Sequence, residues 1–127
     1  MDMSKFIVNW NGAYAVNTGE QFNKFFVYLA DDFKEALSEE CENKGMHLKN
    51  FILGSQFICG FLKRGKRYVY FSWNFLNKDN RVNTKAEVMY REVENDHDFV
   101  NGIYETCPLE DLVKNVEKYF ETHTLVA

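Results

Sequence analysis

The sequence predicts an α+β domain: an antiparallel sheet of about five to seven strands, with a long helix in the N-terminal half and a C-terminal helix packed on one face. Three observations predict it. Phe22, Phe25, Phe26, Leu29, Phe33, Ala36 and Leu37 recur at steps of three and four, the period of a helix with one apolar face. The stretch from residue 47 to 106 holds β-branched and aromatic runs separated by Asn-, Asp-, Gly- and Lys-rich turns, the pattern of an antiparallel meander. Leu109, Leu112, Val113, Val116 and Phe120 then make a second helical stripe near the C-terminus.

Each element has its own signal. SKFIVNW (4–10) is β-leaning and Asn11-Gly12 is a strong turn dipeptide, so a hairpin with AYAVN (13–17) is expected. Thr18 stands three residues before Gln21, a capping-box spacing for a helix running to Gly45, a natural stop. Asp31, Glu35, Glu39 and Glu42 fall opposite the Phe stripe, while Glu40 falls toward the apolar side. A break at Asp31-Asp32, giving two helices, is the alternative. HLKNFILG (47–54), SQFICGFL (55–62), RYVYFSWNF (67–75), RVNTKAEVMYREV (81–93) and FVNGIYET (99–106) read as strands. Turns are expected at residues 63–66, 77–80 and 95–98. Pro108 suits the first turn of the last helix, and Glu110 and Asp111 suit the positive end of its dipole. A short tail from Thr122 could add a strand.

Composition bounds the function. The 127 residues fit a single domain, 1–127. The aromatic fraction of 17%, with 12 Phe, supplies a dense core without disulfides or metals. A net charge of −4 disfavours direct nucleic-acid binding, which needs a basic surface. Cys41, Cys59 and Cys107 are odd in number and widely spaced, and His47, His97 and His123 do not cluster with them. Reduced thiols follow, with neither a zinc site nor a nucleophile signature. No phosphate-cradling glycine motif occurs. No apolar run reaches the ~20 residues of a membrane span, and a signal-peptide apolar region is lacking at the N-terminus. The expectation is a cytoplasmic, non-enzymatic protein with no cofactor, no metal and no membrane partner.

Charge is unevenly placed. From Asp31 to Glu42 there are six acids and one lysine, and from Lys63 to Arg67 four bases and no acid. A solvated helix face and a polar hairpin tip account for this simply. The functional reading is an acidic surface that docks a basic protein partner, with aromatic anchors. The candidate partner-binding residues are Tyr28, Asp31, Asp32, Glu35, Glu39, Glu42, Trp73, Glu92, Glu94, Asp96 and Asp98, with Tyr104 a further aromatic candidate. Asp96-His97-Asp98 lacks the spacing of a Ca²⁺ loop and reads as a solvated turn.

AVNTGEQFNKFFVYL, SQFICGFLKRGKRYVYFSWN and NGIYETCPLEDLVKNVEKYFETHTL together resemble the layout of bacterial immunity proteins of polymorphic-toxin and contact-dependent growth inhibition systems: a strand leading into an early helix, a central hairpin, then a closing strand, a Pro-containing turn and an amphipathic helix. The resemblance implies a non-catalytic inhibitor that binds the toxin domain of a co-encoded effector, often a nuclease with a basic cleft, and covers its active site or substrate cleft. It assigns no role to any single residue. Two other expectations compete: a small-ligand binder or enzyme with a pocket between the long helix and the sheet, and a phage-type inhibitor of a host defence nuclease.

Overall fold

The structure is a computed structural model that describes residues 19–53, 57–74, 87–97 and 104–122, with the side chains of the first helix described from Ala30 onward. The expected N-terminal hairpin, the turn at 77–80 and the C-terminal tail beyond Thr122 lie outside the described residues. So does most of the expected strand before residue 104.

Helix α1, Gly19–Asn43, is continuous, so the alternative break at Asp31-Asp32 is not adopted. It stops where Gly45 enters the left-handed region at φ 73°. Met46 N–H then donates to Cys41 O at 2.8 Å, and Gly45 N–H to Glu42 O at 3.0 Å. That is a Schellman end, in which the residue after the glycine folds back onto the helix. Here the residue is Met46, fully buried beside Cys41 in the core.

Five strands follow: β1 His47–Leu53, β2 Phe57–Arg64, β3 Arg67–Asn74, β4 Glu87–Val93 and β5 Glu105–Pro108. They form one sheet in sequence order, and every pair is antiparallel. Arg64 pairs with Arg67, so the expected turn is tighter than residues 63–66. Its two central residues are Gly65 and Lys66. Gly65 has φ 62° and Lys66 does not have positive φ, a type II′ turn. Pro108 leads into a 3₁₀ turn, Leu109–Asp111, and then helix α2, Leu112–Thr122.

Strand β1 is irregular. Its register against β2 shifts between Lys49 and Ile52, where one extra residue is inserted. Asn50, at φ 47°, absorbs the insertion as a bulge, and Asn tolerates that conformation better than most residues. The bulge re-phases the strand, so Leu48, Phe51 and Leu53 all pack on the main core. Gly60 lies across from it. A Cβ there would sit 3.2 Å from the Phe71 ring and 3.4 Å from Lys49 O, so the close approach of β1 and the Phe71 ring requires glycine.

The sheet is buried on both faces, which is why FICGFL in β2 shows no polar alternation. On one face Ile58, Leu62, Val69, Phe71, Trp73, Val88 and Tyr90 join Phe33, Leu37 and Cys41 of α1 and Leu112, Val113, Val116 and Phe120 of α2 in one cluster. The other face carries a smaller cluster of Cys59, Phe61, Tyr70 and Val93. Arg91, only 4% exposed, lies there too. Its guanidinium carbon is 5.4 Å from the Tyr70 ring and 5.5 Å from the Tyr104 ring. After β4 the chain returns toward β1, where the Asn50 side-chain amide donates to Asp96 O at 3.0 Å.

Candidate functional site

Two surfaces carry the chemistry of the described residues. The first is the outer face of α1. Phe33, Leu37 and Cys41 are fully buried, and the helical period turns Asp31, Asp32, Glu35, Glu39 and Glu42 outward, where all are exposed. The acids run for roughly 16 Å along the helix at its usual rise. Lys34 leans back to 5.9 Å from the Phe51 ring. Glu42 is 4.0 Å from His47 Nδ1, and among the described residues the other four exposed acids take part in no ion pair. Glu40 departs from the row, with one carboxylate oxygen buried, as its place in the period predicts.

The remaining expected contact residues are scattered. Trp73 is 0% exposed and its ring lies 5.9 Å from that of Phe33. It is a core residue and not a surface anchor. Its place in β3 explains this, because Val69, Phe71 and Trp73 share the helix-facing side of the strand. Glu92 is tied up internally: Arg67 Nε and Nη2 donate to its two oxygens at 2.7 Å each, with the two side chains 15% and 22% exposed. Glu94 is exposed. Asp96 is half-buried, its carboxylate 3.2 Å from His97 Nε2. Tyr104 is 40% exposed while flanking Arg91. The side chains of Tyr28 and Asp98 lie outside the described residues.

Two of the four bases of the hairpin, Arg64 and Arg67, are also absorbed by the fold. Arg67 donates to Phe120 O at 3.2 Å and stacks 5.2 Å from the Phe120 ring. The Glu92 hydrogen bond, followed by its charge, raises the Arg67 pKa. Arg64 donates to Lys44 O and lies 3.9 Å from Glu117 and 4.0 Å from Glu121. Three of the chain's elements therefore meet at the hairpin tip: the end of α1, the β2–β3 turn and α2.

The second surface is an open cleft of about 260 Å³ between α2 and the β4–β5 edge, lined by Tyr90, Glu105, Asn115, Lys118, Tyr119 and Thr122. The Tyr90 hydroxyl donates to Glu105 Oε2 at 2.9 Å, and the Tyr119 hydroxyl donates to Glu92 Oε1 at 3.2 Å. Both phenols have pKa values raised first by burial; for Tyr90 the hydrogen bond to Glu105 adds to it, and for Tyr119 the charge of Glu92 does. Both stay neutral donors at ordinary pH. Sequence reading missed this cleft because its walls come from three separated segments and no local motif links them. Around Phe33, the space between the long helix and the sheet is filled by Phe33, Phe51 and Trp73.

All three cysteines are free and buried. Burial, helped by Glu40 and Glu42, pushes the Cys41 thiol up to about 12, and burial likewise raises Cys59 and Cys107. A thiol in such surroundings is a poor nucleophile, since the thiolate is the reactive form. Among the described residues no helix is long and apolar enough to cross a membrane.

No family model, curated protein or solved structure matches this chain.

Proposed function

We propose that this chain is a non-enzymatic inhibitor of the immunity-protein kind, which binds a toxin domain with a basic cleft, of the nuclease type, and blocks access to it. The carrying observation is the exposed acidic row on α1, Asp31, Asp32, Glu35, Glu39 and Glu42, mounted on a helix whose other face is locked into the core by Phe33 and Leu37. A charged row on a rigid support presents its field without reorganisation, which favours fast, oriented association with an oppositely charged surface. The perturbed thiols and phenols are shifted toward their neutral, inert forms, which fits a protein acting by contact.

The test is capture of the C-terminal toxin domain encoded beside this gene, followed by surface binding kinetics with the Glu35→Lys/Glu39→Lys double variant. The expected result is a stoichiometric complex, with association slowed at least about tenfold by the double reversal. Equal rates for the two proteins would reject α1 as the docking face. Both residues are exposed, so the variant should fold; circular dichroism checks that directly.

A further inference from the structure

We draw no further inference here: the strongest candidate, the apolar surface patch of Ile52 and Phe57 on strands β1 and β2, is 40% and 38% exposed at its two residues, and nothing in the structure shows what covers it.

Discussion

Phe33 and Trp73 meet across the helix–sheet interface with ring centroids 5.9 Å apart, and Cys41 lies two turns further along the same face of α1. Burial governs the chemistry of all three. The Cys41 thiol, ordinarily near 9.0, is pushed up to about 12 in the folded chain. Between those values the unfolded chain has lost a proton that the folded chain retains. Stability from this group is therefore complete below about pH 9 and is lost as the pH rises toward 12. Cys59, Cys107, Tyr90 and Tyr119, all raised, add in the same direction. Urea midpoints measured across pH should stay flat up to about 9 and then fall, and Cys41→Ala should make the fall shallower; identical slopes would contradict this account. At this scale the sequence was partly legible. Burial of Cys59 follows from its apolar neighbours Ile58 and Phe61, whereas Cys41, flanked by Glu40 and Glu42, is buried by its helical phase four residues after Leu37. Trp73 was misread as a surface anchor because residue type was weighed above strand phase: Val69 and Phe71 already fix the side on which it lies.

At the scale of elements, the two helices were the clearest features, since a 3.6-residue apolar period over three or more turns has few other readings. Gly45 marked the end of α1 for a physical reason, as the Schellman end needs positive φ there. The bulge at Asn50 was not legible. Nothing local distinguishes HLKNFIL as a strand with an extra residue, although apolar residues at 48, 51 and 53 carry the changed spacing once it is known. Besides its apolar stripe, α2 is tied down by long-range polar contacts that no window of sequence contains. Arg67 is their centre, gripping Glu92 and capping Phe120 O. Arg67→Met keeps much of the side-chain bulk but leaves the half-buried Glu92 without its main partner, and should cost about 2 kcal/mol in denaturant unfolding. Adding Glu92→Gln should recover about half of that loss. A double variant no more stable than Arg67→Met would show that stacking on Phe120, and not the ion pair, holds the helix.

At the scale of the whole molecule, charge decides more than shape. The net charge is −4, yet the two arginines of the central hairpin, Arg64 and Arg67, are drawn into contacts with α2 and Glu92, and among the described residues Asp31, Asp32, Glu35 and Glu39 of α1 stay exposed and outside any ion pair. Association with a basic partner should slow by about tenfold between low and physiological salt, because the Debye length shrinks to about 8 Å. The Glu35→Lys/Glu39→Lys variant should show a much weaker dependence. Stopped-flow association at several ionic strengths reads both, and a salt-independent wild-type rate would remove the electrostatic argument. The acidic row was legible from period and composition alone. The cleft beside α2 was not, because only the folded sheet with α2 packed against it brings Tyr90, Glu105 and Tyr119 together.

The bulge in β1 has a consequence for how copies of this chain behave in a crowded solution. Among the described strands β1 and β5 are the outermost, and an open strand edge is a template for pairing with another molecule. In β1 the extra residue at Asn50 kinks the row of backbone donors and acceptors, and the Asn50 side chain is tethered to Asp96 O. In β5 the last ladder position is Pro108, paired with Glu87, which has no N–H to offer. Among the described residues, each outer strand thus carries one position that interrupts a regular ladder. The same irregularity that re-phases Phe51 into the core also makes this edge of an aromatic-rich sheet a poorer template for a strand of its own kind.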